Sequence, residues 1–123
     1  MWRMDFDPAT RRLCVQLKEH VSTAHLRELA DAHTLALEAT GGQAFKVFLD
    51  LRGLFPLEPD AVVLLGAIKR LASQMRGWAG TAVLADSATV AMQQNRTRIC
   101  EQTDVGLELV SLSSDQVERF LAS

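Results

Sequence analysis

The chain has 123 residues, of which 48% are hydrophobic and 23% charged, with a formal net charge of −2. That is the composition of one ordinary globular domain with a single core, and it argues against intrinsic disorder. The charge balance, with Arg11–Arg12, Lys69–Arg70 and Arg96 with Arg98 dispersed over separate segments, argues against nucleic-acid binding.

The opening MWRMDFDP lacks the apolar region of a secretory signal, and the longest strongly apolar run, residues 61–68, is far too short for a membrane span. A soluble, cytoplasmic protein is expected. Residues 2–7 and 12–18 read as a β-hairpin, since Trp2, Met4 and Phe6, then Leu13, Val15 and Leu17, alternate with polar or small residues. Asp7-Pro8-Ala9-Thr10 between them has the chemistry of a type I turn.

Ser22 is a good N-cap for a helix over Thr23 to Thr40. Its stripe is Leu26, Leu29, Ala30, His33 and Leu37, and Gly41-Gly42 ends it. Phe45 to Leu51, apolar except for Lys46 and Asp50, reads as a strand buried on both faces. A second helix starts at Pro59, with Glu58 and Asp60 in its electropositive first turn. Its expected inward stripe is Leu64, Ile68, Leu71 and Met75, with Lys69, Arg70, Ser73 and Gln74 outward.

Thr81 to Ala85 is the next strand, preceded by Gly77 and Trp78 in a loop. Asp86 or Ser87 then caps a helix running to about Gln102. Leu107 to Leu112 is the last strand. Ser113 with Gln116 matches a capping box before a short helix carrying Val117, Phe120 and Leu121. The order is ββαβαβαβα. That is an α/β fold with a mixed sheet, an N-terminal hairpin, about four helices and right-handed crossovers, in one domain over residues 1–123. Alternation puts Phe6, Leu13, Val15, Phe48, Leu64, Ile68, Val83, Leu109 and Phe120 in the core.

This order resembles the STAS domain, the fold of bacterial anti-sigma-factor antagonists, and more closely its SpoIIAA-like branch of stand-alone proteins. The likeness rests on the hairpin with Asp7-Pro8-x-Thr10-Arg11, on Phe48-Leu49-Asp50-Leu51-Arg52-Gly53, and on Leu107-Glu108-Leu109-Val110 followed by a serine-capped helix ending Phe120-Leu121. It covers essentially the whole chain in topology. In signalling members the resemblance implies D-x-S-G-x-x-x-x-D-S-S-G after the strand, with the second serine of D-S-S-G phosphorylated by a kinase. Aligned without gaps, Glu58 falls on the family's aspartate, Pro59 on the first serine, Asp60 on the phosphorylated serine and Ala61 on the glycine. No serine or threonine lies between Thr40 and Ser73, so the phosphorylation switch does not carry over. Asp60 then has two readings. It imitates the phosphorylated state, or, more simply, it complements the helix dipole with Glu58 at about 0.3–1 kcal/mol each.

Chemistry is sparse elsewhere. Pro59 removes a donor and two carboxylates repel anions at the helix start that a phosphate would need. His20, His25 and His33 have no metal-ligand spacing. His33, on the apolar stripe, reads as a hydrogen-bonded, semi-buried imidazole, and His25 as exposed. There is no G-x-S-x-G. Cys14 and Cys100 are simplest as free thiols, neither with a histidine base in reach. Glu101 and Asp104 read as partners of Arg98 and as helix-end charges. Asn95 lies close to the expected stripe of Ala88, Met92 and Ile99, within the polar run Gln93-Gln94-Asn95-Arg96.

No enzyme activity, cofactor or metal is therefore expected. The leading expectation is a regulatory domain that binds another protein or forms a homodimer, with Pro59, Met92, Asn95 and Arg96 on the interaction surface. The alternative is a carrier for an apolar small molecule or lipid, which requires a closed apolar pocket of about 300 Å³ or more.

Overall fold

The computed structural model describes residues 1–97 and 107–123. Arg98, Ile99, Cys100, Glu101, Asp104 and the expected helix end near Gln102 lie outside the described residues. The elements are β1 (Trp2–Asp7), β2 (Arg12–Leu17), α1 (Thr23–Ala39), β3 (Phe45–Asp50), α2 (Pro59–Ser73), β4 (Trp78–Leu84), α3 (Ala88–Arg96), β5 (Glu108–Ser111) and α4 (Ser114–Ala122). The fold is α/β in the order ββαβαβαβα. Its five strands form one mixed sheet, β1-β2-β3-β4-β5, antiparallel at β1–β2 and parallel at each later pairing.

Local chemistry sets most boundaries. Asp7 Oδ1 accepts from Ala9 N at 2.9 Å, closing the hairpin turn, and Arg11 takes φ +57° to re-enter the ladder. Ser22 and His25 cap α1 reciprocally: His25 N donates to Ser22 Oγ, and Ser22 N donates to His25 Nδ1 at 3.1 Å. His25 is therefore half-buried in a cap rather than exposed. Gly41, at φ +64°, leaves the helix in the left-handed conformation that residues other than glycine resist. Ser87 caps α3, and Ser113 accepts from Gln116 N at the start of α4. The Gln116 side chain does not return to complete the box; its Oε1 accepts from Ser111 Oγ at 2.6 Å instead. β4 begins at Trp78, ahead of the expected Thr81, with the indole Nε1 donating to Thr81 Oγ1 at 2.9 Å.

Both sheet faces follow from alternation. Leu13, Val15 and Leu17, with Phe45, Val47, Leu49 and Val83, point toward α1, α2 and α3 and form the main core. On the other face Ala82 and Leu84 pack with Val117 and Leu121 of α4, with Phe48, Leu109 and Phe120 alongside. Of the expected core, Leu13, Val15, Ile68 and Val83 are buried; Phe6, Phe48, Leu64, Leu109 and Phe120 are half-buried at its margins.

α2 is rotated from the expected stripe. Its buried residues are Ala61, Leu65, Gly66, Ile68, Lys69 and Ala72, while Leu71 is exposed. Small residues at 61, 66 and 72 let this side approach its neighbours closely: a Cβ on Gly66 would lie 2.9 Å from Thr97 Cβ. The rotation carries Lys69 inside, where its Nζ lies 3.4 Å from Glu108 Oε2 on β5 and donates to Gln94 O at 3.2 Å. On α1, His33 is fully buried instead of semi-buried. Its Nδ1 has no hydrogen-bond partner among the described residues, and burial lowers its pKa from 6.5 to about 4.

Replacing Lys69 by Met is expected to cost about 2 kcal/mol of unfolding free energy, because it removes a charged partner of the buried Glu108 carboxylate. Lys69→Met with Glu108→Leu should recover part of the loss, and urea titration of both variants checks this. His33 is neutral in the fold but takes up a proton on unfolding below about pH 6.5. Stability is accordingly present above that pH and lost as pH falls toward about 4. Going from pH 7 to pH 5 should cost about 2 kcal/mol through this residue. Urea midpoints of His33→Leu should show that much less dependence on pH over the same interval.

Candidate interaction surface on the second and third helices

The junction after β3 is held by polar contacts that the chain places locally. The Asp50 carboxylate accepts from Arg52 Nε at 2.9 Å, from Arg52 Nη2 at 2.8 Å and from Arg52 N at 3.2 Å. Burial alone would raise the Asp50 pKa; the hydrogen bonds and charge of Arg52 outweigh it and hold the carboxyl below its usual range. Gly53 N donates to Asp86 Oδ2 at 3.0 Å. Glu19, in the left-handed region at φ +59°, donates its N–H to Gly53 O and accepts from Phe55 N, tying the loop to the end of β2.

The last tie is made by Gln93 of α3. Its Oε1 accepts from Leu57 N at 3.0 Å and its Nε2 donates to Leu57 O at 2.8 Å. One amide side chain thus satisfies both backbone groups of a loop residue and fixes the start of α2 against α3. Sequence reasoning treated Gln93 only as one of a polar run. No local signal marks it, since Leu57 is remote in the chain.

On this frame the outer side of α2 is apolar. Val63 is 70% exposed and Leu71 37% exposed; with exposed Ala67 they recur at every fourth position, one stripe along the helix. Phe55 in the clamped loop is 59% exposed and Met92 on α3 is 58% exposed. Of the residues expected at a site, Glu58, Pro59, Asp60, Met92, Asn95 and Arg96 are all exposed. Glu58 occupies the N-cap position without a side-chain capping bond, followed by Pro59 and Asp60 in the first turn. These three line an open groove of about 480 Å³ with His20, Ser22 and Thr23, between the starts of α1 and α2.

Asn95 is not on the inward stripe of α3. The buried residues there are Val90 and Gln94, and the Gln94 amide Nε2 and Oε1 have no hydrogen-bond partner among the described residues. Burial of Val90 against the sheet fixes the helix rotation and turns Met92 outward with Asn95.

Two further open cavities carry polar groups in their lining. One of about 520 Å³ at the carboxyl ends of β2 and β3 is lined by Gln16, Lys18, Glu19, Asp50, Arg52 and Gly53. A second, about 200 Å³ and sharing Gln16 and Asp50, lies against β1, β2 and β3 beside Arg3, Asp5 and Cys14. Cys14 is a free, half-buried thiol whose pKa is raised by burial, the opposite of nucleophile activation. Among the described residues no group of three or more His, Cys, Asp or Glu is placed to hold a metal ion. No described helix is long and apolar enough to cross a membrane. No protein-family model, curated protein or solved structure matches the chain.

Gln93→Ala should cost about 2 kcal/mol, because both Leu57 backbone groups lose their partner. Hydrogen exchange at the Leu57 amide should accelerate accordingly, while amides of β2 and β3 keep their protection.

Proposed function

We propose that this chain is a non-enzymatic, STAS-like regulatory domain that binds another protein through the exposed side of α2, with Met92 of α3 and Phe55 at its margins. The observation that carries this reading is the apolar stripe Val63–Ala67–Leu71. A helix with its opposite side packed on a sheet gains nothing in its own fold from apolar residues facing water. A partner surface would bury them at about 25 cal/mol per Å² of apolar area. Arg70 on the same helix, and Asn95 and Arg96 on α3, supply a polar rim.

In this reading Glu58 and Asp60 act on the helix dipole, and no phosphorylatable residue stands at the family's switch position. The cavity at the carboxyl ends of β2 and β3 is open and lined by Gln16, Lys18, Glu19, Asp50 and Arg52, which does not favour an apolar cargo.

A photo-crosslinking side chain introduced at Ala67 should trap one partner protein in the native cell. Val63→Glu with Leu71→Glu should weaken that partner's binding by about tenfold or more while leaving the melting temperature near that of the parent. Unchanged affinity in the double variant would refute the assigned surface. Asp60→Ser should leave affinity unaltered; a loss on that change would point to phosphoserine mimicry instead.

A further inference from the structure

β1 is an edge strand, and its hydrogen-bond phase can be read from its first residue. Met1 N lies 3.4 Å from Lys18 O, and Lys18 N donates to Met1 O at 3.1 Å, so this pair exchanges both bonds. In an antiparallel ladder such pairs alternate. The register then assigns the same role to Arg3–Gln16, Asp5–Cys14 and Asp7–Arg12. The N–H and C=O groups of Trp2, Met4 and Phe6 therefore point away from β2, toward the free edge.

Apart from its charged side chains, this edge has little of the usual protection against pairing. It is six residues long, in unbroken register with β2, and it contains neither proline nor lysine. One face carries charges of both signs, Arg3 followed by Asp5 and Asp7. Its other face carries half-buried Trp2, Met4 and Phe6.

We propose that two copies of this chain pair antiparallel through β1, on a two-fold axis at Met4, joining their sheets into one of ten strands. Only Trp2, Met4 and Phe6 present backbone groups outward, so the registers that pair more than one set of these residues centre Arg3, Met4 or Asp5 on the axis. Centring Arg3 sets it against the partner's Arg3, and centring Asp5 sets it against the partner's Asp5. Centring Met4 sets Arg3 opposite the partner's Asp5, and Asp5 opposite the partner's Arg3. These are non-hydrogen-bonded pairs, whose side chains approach most closely.

In the same register Trp2 meets the partner's Phe6, and each of the three outward residues exchanges both of its backbone bonds with its counterpart. The axis is normal to the sheet, so the two α1 helices lie side by side on one face. Glu28 of α1 accepts from Trp2 Nε1 at 3.4 Å, placing that side of the helix over β1. Leu35, 68% exposed and two turns further along the same stripe, then faces the partner's Trp2. α4 packs over β4 and β5, leaving the Arg3–Asp5 face clear. The pairing edge is remote from the apolar stripe of α2 and does not depend on its role.

Analytical ultracentrifugation of the full chain tests this. The wild type should be dimeric, and Met4→Pro, which removes an outward donor on the axis where an edge strand tolerates proline, should be monomeric with unchanged circular dichroism. Arg3→Asp and Asp5→Arg should each weaken self-association by about tenfold or more. An equimolar mixture of these two variants should form a heterodimer, because each then supplies the charge the other lacks. The double variant Arg3→Asp/Asp5→Arg should self-associate again. A monomeric wild type overturns the proposal and leaves the edge to a strand from another protein. Dimers indifferent to all four changes, or a mixture that stays monomeric, also overturn it.

Discussion

The handedness of three successive crossovers governs this molecule. From β2 to β3, β4 and β5 the chain steps each time to the next parallel strand in the same direction. A right-handed connection lands each helix on the same face. α1, α2 and α3 therefore crowd one side, and among the described residues the other carries α4. α4 covers β4 and β5, docked by Lys46 Nζ donating to Phe120 O at 2.9 Å and by the Arg12–Glu118 ion pair at 2.9 Å. The β1 end of that face keeps the polar residues Arg3, Asp5 and Asp7, since α4 lies over β4 and β5.

Crowding three helices on one side makes their rotations interdependent. α2 lies between α1 and α3, so its small residues face the close contacts and a long residue must share the buried arc. Lys69 does so because Glu108, from the far end of the chain, meets it with opposite charge. The cost of desolvating both ions makes this pair a poor source of stability compared with an apolar replacement. It goes with the observed rotation of α2, which brings Lys69 to within 3.4 Å of Glu108. That same rotation turns Val63, Ala67 and Leu71 to water. The proposed binding surface is thus the reverse side of a packing decision.

The β3–α2 junction shows the difference between local and distant control. The Asp50–Arg52 contact is made between neighbours in sequence and stands in any context that keeps the turn. The Gln93–Leu57 clamp is made between α3 and the loop, and only the sheet order brings them together. A junction tied at Glu19, Asp86 and Gln93 has few free backbone groups with which to hold a ligand.

Element order, caps and the two-faced pattern of the strands were legible in the amino-acid sequence, because they rest on interactions within a few residues. Ser22, Ser87 and Ser113 satisfy helix-end donors nearby, Pro59 fits the first turn by its own ring geometry, and alternation along β1 and β2 encodes a buried side whatever covers it. The rotation of α2, the burial of Lys69, the completeness of His33's burial and the exchange of Asn95 for Gln94 were not legible there. An amphipathic helix with leucine, isoleucine and alanine on several sides has more than one plausible stripe. Periodicity alone cannot choose between them. The choice was made by partners distant in sequence: Glu108 for Lys69, Thr97 for Gly66 and Leu57 for Gln93. Local sequence determined which elements form and where they stop; tertiary packing decided which side each helix shows to solvent, because that side is whatever the neighbouring elements leave uncovered.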